Sequence, residues 1–336
     1  MIFKDKVVFK KIMSKIIKDC IFGFVEVPTL CRIFMDTSQF QRLRRIKQLG
    51  LTHYVFPTAT HTRFDHSLGV MYLAGKVIDQ LSKFIDISER KKQLVMLAGL
   101  LHDVGHFPFS HLFDTLLQLK EFKDSNGVQI SKHHEIRSVE LVKQINQQVK
   151  QLNEKEVEIV QNMILGNTDE KNPFLYEIVC NSENGIDVDK MMYLRQDAYN
   201  TGIMGFQPDY IIHCMRIKDG HIAFLKKAET DIRDLYETRK RMFQNVYYHK
   251  TITKIERMYL CMLKQQPFEE FLVKNDIDMI DDGSVDYFLR KTYPEQMRKI
   301  DHRDFNHECP SCKPIVMDKT PTLNGHITGT GLIIFC

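Results

Sequence analysis

The run His102-Asp103-Val104-Gly105-His106-Phe107-Pro108-Phe109-Ser110-His111 sets three imidazoles and a carboxylate within ten residues. Imidazole and carboxylate are good ligands for divalent transition metals. His102 and His106 are four apart, so they share a helix face if the preceding helix continues that far. Gly105 and Pro108 suggest instead a chain bent around a site. A capping histidine at a polar helix end is the bland reading of any one of these residues; the cluster favours a metal site.

Two further segments offer partners. His61-Thr62-Arg63-Phe64-Asp65-His66-Ser67-Leu68-Gly69 places an arginine and histidines just before a helix. Asn184-Gly185-Ile186-Asp187-Val188-Asp189-Lys190 places two carboxylates and a lysine at another helix start, where acidic side chains also suit the helix dipole. Asp189, Tyr193 and Asp197 fall at i, i+4 and i+8, which makes one polar face, as a substrate-lining wall requires. Metal ligands beside arginine and lysine point to phosphate chemistry. They do not say which phosphorus is attacked.

The elements that must position these groups are mostly helical. Leu68, Met71, Ala74, Ile78 and Leu81 recur at three- and four-residue spacing. Asp86-Ile87-Ser88-Glu89 resembles a capping box ahead of a helix carrying Leu94, Leu97, Leu100 and Leu101, whose end delivers His102. Residues 174 to 180 read as strand or helix, and a helix-like segment runs from Asp189 to Ala198. Residues 230 to 265 read as one long helix through Leu235, Met242, Val246 and Ile252. Composition shifts after residue 266: Asp276 to Gly283 is acidic and loop-like, and the end is rich in Gly, Thr and Pro, with a short strand expected within 329 to 335. The expected architecture is mainly α, a helical body over residues 1–265 and a smaller, less regular α+β part over 266–336.

With 336 residues, 43% of them apolar and 27% charged, the chain has an ordinary globular composition. Its net charge of +4 is far from the basic stripe of a dedicated nucleic-acid binder. The longest apolar run, near Leu94 to Leu101, is too short to span a bilayer, and no signal-peptide core opens the chain. The eight cysteines are scattered and suggest no disulfide framework, so an intracellular, reducing compartment is expected, cytoplasmic or nuclear. Cys309-Pro310-Ser311-Cys312 is half of a zinc site at most.

A histidine, a distant His-Asp doublet and a more distant aspartate, here His66, His102-Asp103 and Asp189, form the ligand order of the HD phosphohydrolase superfamily. The surrounding text resembles the SAM-and-HD-domain deoxynucleoside triphosphate (dNTP) triphosphohydrolases: Gln39 to Arg44, His61 to Gly69, His102 to His111, Asn184 to Lys190 and Leu235 to Lys250. The resemblance covers roughly residues 15 to 260, without a SAM domain, and has a weaker echo near Ile300 to Phe305. It implies an HD-domain helical bundle in which His66, His102, Asp103 and Asp189 hold one transition-metal ion (Fe, Zn or Mn), with Mg²⁺ accompanying the substrate phosphates. Arg63, Lys190 and Tyr193 would meet the triphosphate, and His106, His111 and His134 would surround the scissile phosphate. Gln48, Leu49, Asp197, Arg239 and Tyr247 would shape the sugar pocket or grip the phosphates, Tyr247 leaving no room for a ribose 2′-hydroxyl. The implied reaction is attack at the α-phosphorus, giving a deoxynucleoside and inorganic triphosphate.

The resemblance further implies a GTP or dGTP activator site at Lys15, Ile16, Asp36, Gln41, Arg44 and Arg303, a neighbouring nucleotide site at Val55, Phe56, His249 and Lys250, and assembly into a dimer or tetramer. Lys18, Asn245, Met191-Met192 and Tyr248 depart from the family's pattern, and the C-terminal part is shorter. Two other readings stand beside this one: another HD-type phosphohydrolase, a nucleotidase or phosphodiesterase, and a regulatory HD protein that binds nucleic acid.

Overall fold

A computed structural model of the chain describes residues 14–169 and 171–305, together with the backbone of strands 325–327 and 332–335. The Arg63–Leu81 helix opens on a reciprocal capping box between Thr62 and Asp65 and buries Leu68, Met71, Ala74, Ile78 and Leu81 on the face read from the sequence. It packs along the Glu89–Leu101 helix. That second helix starts two residues later than Asp86 would have set it. Ser88 is the N-cap, its hydroxyl accepting from the Lys91 amide at 3.4 Å, while Ile87 is buried just before it.

Around this pair lie the helices Thr29–Met35, His134–Val149, Glu154–Leu165 and Val188–Thr201. They close one large apolar cluster, which also takes in the inward residues Val25 and Val27 of an antiparallel hairpin, Lys15–Asp19 with Gly23–Val27. The ambiguous stretch 174–180 is helical over Pro173–Glu177, with proline at the first turn. The strand expected near the C-terminus forms at Leu332–Phe335 and adds to His221–Leu225 within a four-stranded antiparallel sheet.

The long helix expected over 230–265 is broken. Glu229–Met242 is α-helical, Phe243–Tyr247 widens into a π-helical turn, and a new helix runs Lys250–Leu263. Tyr248 leaves helical geometry, and His249 caps the new helix by accepting from the Thr251 amide at 3.3 Å. Apolar residues keep helical spacing on both sides of this break, so periodicity alone does not reveal it.

A second apolar cluster joins Phe107, Phe113, Leu116 and Phe122 to Tyr259 and Leu263. It is completed by Phe268, Leu272, Val285, Leu289 and Ile300 from the helices Gln266–Lys274, Asp282–Thr292 and Pro294–Asp301. This cluster draws on both sides of residue 265. Among the described residues, no helix is long and apolar enough to cross a membrane, and Cys20, Cys31, Cys180 and Cys214 are free thiols. Cys309 and Cys312, the half zinc site, lie outside the described residues.

Candidate active site

Three elements deliver the ligand-type side chains. His66 stands in the first turn of the Arg63–Leu81 helix and is fully buried. The Glu89–Leu101 helix stops short of His102, which is its C-cap. His102 and His106 therefore do not share a helix face; the chain turns between them, with the His106 amide bonded to the Asp103 carbonyl at 3.1 Å. Asp187 caps the Val188–Thr201 helix by accepting the Lys190 amide at 2.9 Å, which sets Asp189 in the first turn.

The functional atoms converge. His66 Nε2 lies 3.2 Å from His102 Nε2 and 3.0 Å from Asp189 Oδ1, and His102 Nε2 lies 3.3 Å from the same oxygen. Such mutual spacing suits donors arranged about one ion with bonds of about 2 Å. His102 Nδ1 faces the Gly99 carbonyl at 2.9 Å. A donated N–H there leaves the Nε2 lone pair for the site, the usual supporting bond of a metal-ligating histidine. Asp103 flanks the trio, 3.5 Å from His66 Nε2 and 3.4 Å from His102 Nε2.

Charge follows from this crowding. Burial alone would lower His102, but Asp103 and Asp189 outweigh it and raise the imidazole to about 9. Burial opposes the charge of Asp103, yet Arg63, foremost among its neighbours, holds that carboxyl well below the usual range. Arg63 is itself buried. It is ion-paired to Asp103 and donates to Ser110 Oγ at 3.0 Å and to the Gln48 carbonyl at 3.3 Å.

A second group of histidines lies beside the first. His106 stacks on His134 at 3.8 Å between ring centroids, and His111 meets both rings edge-on. Burial and the neighbouring Arg63 and His134 push His106 well below its ordinary pKa. His106 Nε2 lies 3.3 Å from Asp103 Oδ1 without hydrogen-bond geometry, and neither ring nitrogen has a partner. His134 is oriented by Asp114, 2.9 Å from its Nδ1. Asp114 also accepts from Arg137 at 2.6 Å.

The third wall comes from the Val188–Thr201 helix and the π-helical turn. Tyr247 donates to Asp197 at 2.7 Å, and His61 Nε2 meets the other oxygen of that carboxylate at 2.7 Å. Tyr193 stands edge-on to Tyr247. Lys190 reaches Asp187 at 2.7 Å, Arg239 lies over the Phe243 ring, and Leu49 is half-buried against the main cluster. Gln48 is buried, and its Oε1, His61 Nδ1, His66 Nδ1 and Arg239 Nε all lack hydrogen-bond partners. Buried polar atoms are rarely left unpaired, and these belong to residues expected at the site or adjoining it. His61, Asp114 and Arg137 were not assigned from sequence. Only His61 carried a signal, as a histidine two residues before Arg63.

The residues expected to bind an activator occupy several surface elements. Lys15 and Ile16 lie on the first hairpin strand, and Asp36 pairs with Arg32 at 3.4 Å. Gln41 accepts from Arg44 at 2.9 Å, and Arg44 covers the Phe64 ring. Arg303 reaches the Tyr54 carbonyl at 3.2 Å. Phe56 meets the His249 ring edge-on, with Val55 beside it and Lys250 opening the next helix.

Residues 63–194 match the HD-domain family, the segment that supplies His66, His102, Asp103 and Asp189. The chain is an HD-domain protein of the HD phosphohydrolase superfamily, related to the SAMHD1 proteins. It is 38% identical over 254 residues to the deoxynucleoside triphosphate triphosphohydrolase SAMHD1 homolog of Dictyostelium discoideum, covering 73% of this chain and 48% of that one. It is 38% identical over 264 residues to the putative HD domain-containing protein L394 of Acanthamoeba polyphaga mimivirus, covering 73% and 56%. To deoxynucleoside triphosphate triphosphohydrolase SAMHD1 of Homo sapiens it is 36% identical over 273 residues, covering 73% and 43%. The chain thus spans about half the length of these curated relatives.

Proposed function

We propose that this protein is a metal-dependent phosphohydrolase that cleaves dNTPs to a deoxynucleoside and inorganic triphosphate. The observation that carries the reading is the convergence of His66 Nε2, His102 Nε2 and Asp189 Oδ1 within 3.0–3.3 Å of one another, beside Arg63. The names of the relatives supply the substrate class. In this reading His66, His102, Asp103 and Asp189 hold one transition-metal ion, Fe, Zn or Mn. A divalent ion there acidifies water and offsets phosphate charge.

The chain's own residues do the rest. Arg63 and Lys190 neutralise the polyphosphate, and Mg²⁺ accompanies it. Tyr193 and Arg239 flank the phosphates. His106, kept neutral by burial and Arg63, is suited to accept a hydrogen bond. His134, oriented by Asp114, is suited to carry a proton to the departing 5′ oxygen through Nε2, with His111 at the rim. Gln48, Leu49, Asp197 and Tyr247 form the sugar pocket. Tyr247 under the sugar would exclude a ribose 2′-hydroxyl sterically.

Incubating the protein with each dNTP and Mg²⁺, then separating the products, tests this. Deoxynucleoside and tripolyphosphate are expected; orthophosphate or pyrophosphate would instead indicate a nucleotidase or another HD-type reaction. Activation by GTP or dGTP belongs to the same reading. Asp36 suits a guanine edge, while Lys15, Arg44 and Arg303 suit phosphates. Sedimentation and dATP turnover, each with and without GTP, decide it. A change in neither would remove the activator and the oligomer from the reading while leaving the catalytic site intact.

A further inference from the structure

We infer that Asp282 is a positioning residue for the candidate active site. It holds the Phe109–Ser110 bend in place and, through that bend, Arg63 and Asp103. The phosphohydrolase reading enters only through the rate used to measure the effect.

Phe109 and Ser110 both have positive φ, 59° and 55°, a region costly for residues with a side chain. They lie between His106 and His111, so the bend sets where those histidines stand. Such a conformation persists only when its surroundings over-determine it. Asp282 supplies that support from far along the chain. Its Oδ1 accepts the Phe109 amide at 2.8 Å, and its Oδ2 accepts the Lys47 amide at 2.9 Å. The side chain is buried, and the Lys47 ammonium lies 3.8 Å away.

The two segments joined by Asp282 are also joined to each other. Ser110 Oγ donates to the Lys47 carbonyl at 2.8 Å and accepts from Arg63 Nε at 3.0 Å. Arg63 in turn pairs with Asp103 and donates to the Gln48 carbonyl. An unbroken hydrogen-bonded path therefore runs from Asp282 to a carboxylate in the ligand cluster.

Asp282 does not serve its own helix in this role. Asp281 is the N-cap there, its side chain accepting the Ser284 amide at 2.9 Å. The flanking residues anchor the turn independently. The fully buried Arg42 spans the Ile280 and Val104 carbonyls at 3.2 and 3.0 Å, and Arg45 pairs with Asp281. Burial pushes the Asp282 carboxyl up to about 6, against the pull of the two amides and Lys47. At neutral pH it is ionised and both oxygens accept.

The test compares Asp282→Asn, Ser110→Ala, the double variant and Arg45→Ala. Asparagine keeps the shape of the side chain but turns an N–H₂ toward a backbone N–H. Each variant is measured for kcat and KM with dATP, for Mn²⁺ affinity by chelator competition, and for Tm. Residues that orient metal ligands typically change metal affinity or activity by about 10- to 100-fold. Asp282→Asn is expected to lower kcat about tenfold or more and to weaken Mn²⁺ binding about tenfold, with KM within about threefold. The double variant should be no worse than the worse single variant, because both break one path. Arg45→Ala, which removes only the exposed pair on the same turn, should behave as wild type.

A folded Asp282→Asn protein with lower Tm but wild-type kcat and Mn²⁺ affinity would overturn the inference, as would losses that multiply in the double variant. Should Asp282→Asn fail to fold, Ser110→Ala decides alone, and wild-type kcat and Mn²⁺ affinity there would overturn it. If wild type hydrolyses no dNTP, the dNTP reading falls, and the Mn²⁺ affinities still decide the role of Asp282.

Discussion

Asp103 carries two loads: it faces His66 and His102, and it neutralises the buried Arg63. Asp103→Asn should therefore lose most bound metal, seen by elemental analysis, and lower turnover by about 100-fold or more. Full activity in a metal-free variant would contradict the assignment of the cluster. Asp114 gives a prediction in stability and pH. Burial works against its charge, but contacts with His111 and His134 hold its pKa well below the ordinary value. A depressed carboxylate contributes stability above its unfolded pKa of about 3.9 and loses it as pH falls toward the folded value. Wild type should thus lose stability progressively on acidification below about pH 5. Asp114→Asn strands the Arg137 charge and should cost about 3–5 kcal/mol at neutral pH, with a shallower acid slope in denaturant titrations. Parallel acid slopes would remove Asp114 from the account. The ligand-type residues were legible because imidazoles and carboxylates clustered at helix ends have few other uses. Asp114 and Asp282 were not: Asp114 looks like an ordinary helix-start charge, and Asp282 is one of four aspartates in the stretch Asp276 to Gly283, which reads as an acidic loop.

At the scale of elements, the contact between the turn from His102 to His106 and the His134–Val149 helix leaves the site little freedom. Gly105 donates to Ser138 Oγ and accepts from Arg137, each at 2.9 Å. A Cβ at Gly105 would stand 2.4 Å from the Ser138 amide nitrogen and 2.7 Å from the His134 carbonyl oxygen. Backbone cannot yield there without moving His134 away from His106. Gly105→Ala should cost about 1–3 kcal/mol by overpacking and abolish most turnover. Gly69→Ala is the contrast. The three atoms nearest its Cβ would all belong to the flexible side chain of Met192, so a smaller loss of Tm and retained activity are expected in thermal melts and dATP assays. Equal effects from the two substitutions would show that the Gly105 contact sets nothing special. The sequence suggested a bend at Gly105 and Pro108, but not its partner, since contact between a turn and a helix 30 residues on leaves no periodic trace. The π-helical turn at Phe243–Tyr247 escaped for a related reason: helical spacing survives on both sides of it.

Across the whole molecule, the division at residue 265 and the shared second core make opposite statements about the chain cut after Gln265. A self-sufficient helical body would fold alone. The apolar bookkeeping argues against that. Phe268, Leu272, Val285 and Leu289 are fully buried and would be missing, and Phe113, Leu116, Tyr259 and Leu263, also fully buried, would be bared. Losing one large buried side chain costs about 2–5 kcal/mol, and a whole domain is stable by about 5–15 kcal/mol. Four such losses exceed what the body can absorb. The cut also removes Ile280 and Asp282, which hold Arg42, Lys47 and Phe109, so the site loses its brace along with its core. The shortened chain is expected to be poorly soluble, or compact with lost near-ultraviolet dichroism and exposed apolar surface that binds a fluorescent dye, and to bind Mn²⁺ far more weakly than the full chain. A soluble 1–265 fragment that unfolds cooperatively and binds Mn²⁺ with full affinity would instead make residues 266–305 an accessory to a body that folds and assembles its site without them.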